Sequence, residues 1–155
     1  MSKHVLFHQG IEAFNRRDVD AFLEICHPDC ELQPFLRARD DDSPYRASDG
    51  IRQWFAATDA AFEEVRKEAV ELREANGTLL ALGKLHFRGR ASGVEVTSPV
   101  GWVLEFRDGK IARSRTYIDP DQAVEEASLD QEVDEASLGH VEQASLDQGD
   151  AAVAA

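Results

Sequence analysis

Residues 103–120, VLEFRDGKIARSRTYIDP, decide the fold class of this chain. The pair Asp108-Gly109 separates two runs in which apolar and polar residues alternate, which is typical of two antiparallel strands joined by a tight turn. We therefore predict a strand over residues 110–119. Pro120 then begins a terminal helix, because proline is favoured at the first helical position.

The same alternation extends the sheet toward the N-terminus. Asn76-Gly77 predicts a second tight hairpin between strands at residues 65–75 and 78–87. A longer strand over residues 94–106 follows, with a bulge or kink expected at Pro99 because proline cannot donate to the strand ladder.

Helices precede these strands. The apolar spacing within residues 3–15 predicts one helix, Asp18 caps a second, and a third begins at residue 48 or 49. A short strand is expected at residues 30–35. This order predicts an α+β fold in which N-terminal helices pack on a curved antiparallel sheet.

The charge is unevenly distributed along the 155 residues. The chain has 17 basic and 30 acidic residues, a net charge of −13, and residues 120–155 contain no Lys or Arg. We therefore predict one domain at residues 1–127 and an acidic, low-complexity tail at residues 128–155. Its composition favours disorder, with a partner-binding acidic helix as the alternative.

Composition also excludes several classes of function. No Lys/Arg cluster provides the positive patch that nucleic-acid binding needs. No apolar run approaches the length of a membrane span. The N-terminus lacks the pattern of a signal peptide. We therefore expect a cytoplasmic protein that binds neither nucleic acid nor membrane.

Metal and cofactor motifs are weak. His4 and His8 have the spacing of paired ligands, and Cys26-His27-Pro28-Asp29-Cys30 crowds three ligand types together, but neither group has the remaining ligands of a site. The three aspartates at residues 40–42 suggest a solvated loop. We therefore expect no metal and no cofactor.

Aromatic residues are more informative. Several of them come from separate elements that the topology gathers at one end of the curved sheet: Phe35, Trp54, Phe55, Trp102 and Phe106. A concave sheet closed by helices can hold a mostly apolar pocket. A solid aromatic core is the alternative.

Three stretches resemble the SnoaL-like branch of the nuclear transport factor 2-like superfamily. They are AFNRRDVDAFLEICHPDCELQPF, YRASDGIRQWF and VLEFRDGKIARSRTYIDPDQA, in the order and at the spacing that the family shows. The resemblance implies a cone-shaped, cystatin-like barrel with a deep pocket, often dimeric through the outer face of the sheet. It does not determine function, because the family includes isomerases, polyketide cyclases, epoxide hydrolases and binding proteins.

The resemblance also implies that this chain lacks the family's known catalytic groups. The isomerase general base corresponds to Pro34 and the isomerase oxyanion tyrosine to Gly10. The isomerase's protonated aspartate and the cyclase histidine fall near Trp102, and the acidic residue of the cyclase and epoxide hydrolase falls at Thr116. Every familiar acid–base position is therefore vacated.

Strand alternation then assigns the two faces of the sheet. If Thr116 faces the pocket, Ser114 and Ile118 also do, while Asp119 and His86 point outward. The outer face is expected to be basic and polar, either solvated or dimer-forming. His86 and Asp119 are the two candidates for a catalytic role, and this alternation turns both away from the pocket.

Three functional hypotheses follow. The favoured one is a protein, homodimeric by resemblance, that binds a small and mainly apolar molecule. The predicted pocket residues are Leu32, Pro34, Trp54, Phe55, Trp102, Ser114 and Thr116. The second is a cofactor-independent isomerase, cyclase, lyase or epoxide hydrolase acting by acid–base catalysis on a polyketide-like or terpenoid substrate. The third is an interaction module that uses its acidic tail. The sequence leaves open whether the protein is an enzyme.

Overall fold

The computed structural model describes residues 2–35 and 43–128 of the chain. Three helices are α1 (Lys3–Asn15), α2 (Val19–Glu24) and α3 (Ala47–Ala61). The strands are β1 (Cys26–Gln33), β2 (Tyr45–Arg46), β3 (Phe62–Ala75), β4 (Thr78–Gly89), β5 (Glu95–Arg107) and β6 (Lys110–Tyr117). A fourth helix, α4, occupies residues 120–128.

The six strands form one curved sheet in the order β2-β1-β6-β5-β4-β3. The predicted α+β class, with N-terminal helices against this sheet, is confirmed. The sheet is not wholly antiparallel, however, because β1 runs parallel to β6, with Leu32 beside Ser114. This pairing joins β1, which follows the first two helices, to β6, the last strand in the chain.

Local sequence signals determine the ends of the elements. The Ser2 hydroxyl accepts a hydrogen bond from the Val5 amide at the start of α1, and Asp18 caps α2 in the same way. Asn76-Gly77 and Asp108-Gly109 all have positive φ, between 52° and 82°, as the predicted two-residue hairpin turns require.

Two expectations about the strands were wrong. β1 begins at Cys26 rather than at residue 30, and Pro28 lies within it, where the register with β6 shifts. At Pro99 the register between β4 and β5 continues without a bulge. The pairing of β5 with β6 starts only at Gly101, so Pro99 has one neighbouring strand, as is typical of proline in a sheet.

An irregularity in β3 shifts its side chains relative to β4. Leu72 pairs with Ala81 and Glu71 with Leu82, but Ala69 then pairs with Gly83. Val70 is therefore an extra residue, a β-bulge, and it is 67% exposed. Because side chains alternate along a strand, this extra residue reverses the faces of β3 on its N-terminal side.

The convex face of the sheet is partly covered by α4. Ala123 and Ala127 of this helix are buried against Leu80 and Val103. A Cβ on Gly101 would overlap the Cβ of Ala123, so glycine is what permits this close approach. Arg115 is buried beneath α4, where its guanidinium donates to the Glu126 carboxylate at 3.3 Å. The expectation of a basic and polar outer face, solvated or dimer-forming, was therefore wrong for the part of the face that α4 covers.

The concave face packs against α1, α2 and α3. Phe14, Ile51 and Trp54 belong to a cluster shared by the three helices, β1 and β3. Leu85 and Trp102 belong to a second cluster built mainly on the central strands. Functional groups on the concave face are therefore enclosed between the helices and the sheet.

Two expectations concern residues outside the described ones. The predicted solvated loop with aspartates at residues 40–42 lies outside the described residues. So does the predicted tail, except for its first residue, Ser128. Within residues 2–35 and 43–128, no helix is both long and apolar enough to span a membrane.

Candidate functional site

Two cavities, each of about 30 Å³, lie between the helices and the concave face of the sheet. Both are bordered by Trp54, Lys67 and Thr116. The first cavity extends toward β1 and the end of β5, and the second extends toward the α3–β3 junction. The three shared residues therefore occupy the boundary between the cavities.

The structure distributes the predicted pocket residues over these cavities. Leu32, Trp102 and Ser114 border the first cavity, Pro34 borders the second, and Trp54 and Thr116 border both. Phe55 is buried in the adjacent core instead, with its ring packed edge-on against Phe14 and Phe22.

The two candidate catalytic residues lie elsewhere. His86 is on the outer face, where its Nδ1 and Nε2 lie 3.0 Å from Thr97 and Glu68 respectively. The Asp119 carboxylate accepts a hydrogen bond from the Asp121 amide at the start of α4. Ile118, expected to face inward, is 43% exposed because β6 ends at Tyr117.

Aromatic rings form the helical wall of the site. Trp54 stacks on Phe14, with ring centroids 5.1 Å apart, and lies 5.5 Å from Phe22. On the opposite wall, Trp102 contacts Phe7 at 5.6 Å. The rings come from α1, α2, α3 and β5, so their positions depend on the packing of these four elements.

Lys67 borders both cavities but was not among the predicted pocket residues. It pairs opposite Leu85, which is fully buried, so its side chain shares the concave face. Its Nζ lies 4.0 Å from the centroid of the Phe14 ring and 4.7 Å from that of Trp54. Burial, together with the nearby positive charge of Arg17, lowers the pKa of Lys67 to about 7.

The backbone of Lys67 is held from α1. The Asn15 amide oxygen accepts from the Lys67 N–H at 2.8 Å, and the Asn15 Nδ2 donates to the Lys67 carbonyl at 2.9 Å. Arg17 lies on the same side, with its guanidinium 4.4 Å from the Phe14 centroid and a hydrogen bond to the Val65 carbonyl. Lys67 therefore sits in a fixed backbone position.

Trp102 contributes a second polar group to the first cavity. Its side chain is 2% exposed, and its Nε1 has no hydrogen-bond partner among the described residues. A buried donor without an acceptor is costly, by about 1–3 kcal/mol. The indole N–H is therefore available to an acceptor that enters the interior.

Other ionisable groups border the first cavity. The Glu31 carboxylate is hydrogen-bonded by Arg46. The thiols of Cys26 and Cys30 are free and buried. Donation of the Cys26 S–H to Cys30 raises the pKa of Cys26 and lowers that of Cys30. Among the described residues that border this cavity, Lys67 is the basic side chain.

The residues considered as metal ligands do not assemble. His27 turns toward Asp108, 3.3 Å away on the β5–β6 turn, while Cys26 and Cys30 point into the interior. In the part of the chain that the structure describes, no three His, Cys, Asp or Glu side chains form a group that could hold a metal ion.

Comparisons with known proteins agree with this architecture. A Burkholderia pseudomallei protein described as NTF2-like and of unknown function is 19% identical, with a TM-score of 0.68, covering 81% of this chain and 97% of that chain. TerC, co-crystallised with polyporic acid, is also 19% identical, with a TM-score of 0.67 and coverage of 79% and 95%. The putative polyketide cyclase IdmH from Streptomyces antibioticus is 17% identical, with a TM-score of 0.65 and coverage of 76% and 91%.

These likenesses show the fold. The comparison with curated protein sequences finds no match. The model of the SnoaL-like domain matches residues 7–114, from the first turns of α1 to the middle of β6. That stretch contains the aromatic wall, Lys67, Trp102 and Ser114, and the chain is thus a member of the SnoaL-like domain family.

Proposed function

We propose that the protein binds a small, ring-containing and mainly apolar molecule between its helices and the concave face of the sheet. The observation that carries this proposal is the pair of interior cavities that meet at Trp54, Lys67 and Thr116. Burying a ligand's apolar surface against these walls contributes about 25 cal/mol per Å².

The size of the cavities indicates how a ligand is accommodated. Each cavity of about 30 Å³ has room for water rather than for a ring, since a cavity that accepts benzene measures about 150 Å³. Lys67 lies at the boundary and has a flexible four-carbon side chain. We infer that ligand entry moves this side chain aside and also widens the surrounding walls, so that the two spaces join into one elongated pocket.

Polar groups along the pocket orient the ligand. The Ser114 and Thr116 hydroxyls lie on β6, with Trp102 opposite Thr116 on β5. TerC, which has a similar fold, was co-crystallised with polyporic acid, and this supports a ring-containing ligand that carries oxygen. The homodimer and the cytoplasmic location remain predictions from the sequence.

Tryptophan fluorescence tests the proposal directly. Trp54 and Trp102 are the two tryptophans of the chain, and both border the cavities. Naphthalene and polyporic acid serve as probes, with Trp54→Phe and Trp102→Phe each leaving a single reporter. We expect saturable emission changes in both variants and a raised unfolding temperature, because a ligand that binds the native state stabilises it.

The control variant is His86→Ala on the outer face, which should bind both probes like the wild type. Unchanged emission and unfolding temperature with both probes would contradict the proposal.

A second candidate function is acid–base catalysis, and Lys67 is the observation that favours it. A base works best when its pKa lies near the operating pH, and the pKa of Lys67 is about 7. The test is the exchange of the acidic C–H protons of β-tetralone for deuterium, followed by NMR. Acceleration by the wild type and loss in Lys67→Met would support catalysis, whereas equal rates would leave binding alone.

A further inference from the structure

We propose that the pocket selects a ring-containing ligand with a weakly acidic hydroxyl, a phenol or an enol, and holds its oxygen as an anion between Lys67 Nζ and Trp102 Nε1. This inference rests on the proposed binding function and specifies its ligand class.

The first argument is an imbalance between donors and acceptors. The Trp102 Nε1 is buried and has no acceptor among the described residues. The Lys67 amine borders the same cavity and faces the rings of Phe14 and Trp54. Both groups can donate, so a ligand oxygen with free lone pairs satisfies both.

The second argument concerns charge. No ion pair of Lys67 occurs within residues 2–35 and 43–128, and the charge that lowers its pKa is that of Arg17, which is itself paired with Asp59. The carboxylate that borders the first cavity, Glu31, is paired with Arg46. The Cys26 S–H donates to the Cys30 sulfur. Among the described residues, the Lys67 amine therefore has no counter-ion when it is protonated.

The third argument selects the type of acid. A carboxylate is already ionised in water and must lose its hydration shell to enter an apolar pocket, which is costly. A phenol or enol enters neutral and gives up the proton of its hydroxyl, to the Lys67 amine where that amine is neutral, or to the buffer where the amine is already protonated. In both cases the products are an oxyanion and an ammonium, which attract each other where water is excluded.

The test compares para-nitrophenol with para-nitrotoluene, which have similar shapes but differ in the acidic hydroxyl. The experiment is run in buffer acidic enough to keep the free phenol protonated. Since only the phenolate is yellow, absorbance reports ionisation inside the protein. In the wild type we expect a yellow complex and an affinity for the phenol at least tenfold above that for para-nitrotoluene.

Variants separate the two contacts. Lys67→Met should bind the phenol without colour, and Trp102→Phe should lose most of the preference for the phenol. Lys67→Arg keeps the cation and should retain the preference. Lys84→Met, a substitution of an exposed lysine on β4, is the matched control and should behave like the wild type.

Equal affinities in the wild type, or a colourless complex, would overturn this inference. Binding of naphthalene in the same protein would then leave the proposed function standing. Failure of naphthalene, polyporic acid and both nitro compounds would overturn both.

Discussion

Gly83 faces the backbone of Glu68 so closely that a Cβ on Gly83 would overlap the Glu68 carbonyl oxygen. This contact lies beside the bulge at Val70, where β3 carries one residue more than β4. The bulge turns Lys67 toward the concave face. Gly83 on β4 therefore permits the β-bulge in the neighbouring strand β3, and this bulge places the Lys67 side chain on the concave face.

We expect Gly83→Ala to disturb this bulge. The added methyl group has no space, and overpacking costs about 1–3 kcal/mol. If the bulge is lost, Lys67 returns to the outer face and its pKa rises to the ordinary value. Urea unfolding and amine titration by NMR measure the two effects.

Gly93→Ala is the control for that experiment, because a Cβ at Gly93 meets no atom. Its positive φ alone costs about 1 kcal/mol and leaves Lys67 in place. An unperturbed Lys67 titration in a stable Gly83→Ala protein would argue against the role of this glycine.

Lys67 should make stability dependent on pH. Its pKa is about 7 in the folded protein and 10.5 ordinarily, so between these values the unfolded chain binds a proton that the folded chain does not. The free energy of unfolding therefore increases as pH rises through this window. The destabilisation of the folded state by the buried Lys67 amine is fully present below pH 7. Lys67→Met removes this destabilisation.

The measurement is urea unfolding of wild type and Lys67→Met across that pH range. We expect the variant to be more stable at neutral pH and the difference to shrink toward pH 10.5. The free energy of unfolding of Lys84→Met should change with pH in the same way as that of the wild type. A constant difference between wild type and Lys67→Met would show that the amine is not desolvated.

Asn15 should stabilise the same region through its two hydrogen bonds to the Lys67 backbone. Asn15→Ala removes both, at about 1 kcal/mol each, and leaves a part-buried amide without its partner. We expect a loss of about 2 kcal/mol by urea unfolding, with faster hydrogen exchange at the Lys67 amide. Glu12→Ala, at an exposed position of α1, should change stability by less than about 0.5 kcal/mol. Equal losses would indicate a general effect on α1.

The contact of Gly101 with Ala123 should control the docking of α4. Gly101→Ala adds a methyl group where the Ala123 Cβ already lies, and we expect a loss of about 1–3 kcal/mol. Ala123→Gly in the same molecule removes the overlap and should restore most of the stability. Additive losses in the double variant, measured by urea unfolding, would show that the two positions do not touch.

Much of the fold is predictable because local signals and tertiary contacts agree. Some residues mark the boundaries of helices and strands, such as Asp18, Asp108 and Pro120. They act through backbone geometry and hydrogen bonds within a few positions. The Asn76-Gly77 and Asp108-Gly109 turns then set the pairing next to each turn, of β3 with β4 and of β5 with β6. Alternation along β4 correctly places Leu85 inward and His86 outward.

Lys67 was missed because the same rule fails across a bulge. Counting from the Asn76-Gly77 turn without an extra residue places Lys67 opposite His86, on the outer face. The bulge moves it opposite Leu85. Gly83, a glycine inside a strand, is the sequence signal that could have revealed the bulge. The apolar patch beneath α4, formed by Leu80 and Val103, was also missed. The sequence analysis predicted a helix from Pro120 but did not predict which surface this helix packs against.

The parallel pairing of β1 with β6 has a consequence for biosynthesis. His27 and Asp108, at one end of this pair, are 81 positions apart in the chain. Contacts of such long range close late, because a large loop must first lose its freedom. The helices therefore emerge from the ribosome well before the strand that completes their sheet. We expect the nascent chain to remain unfinished, with aromatic surface in reach of chaperones, until β6 has been translated.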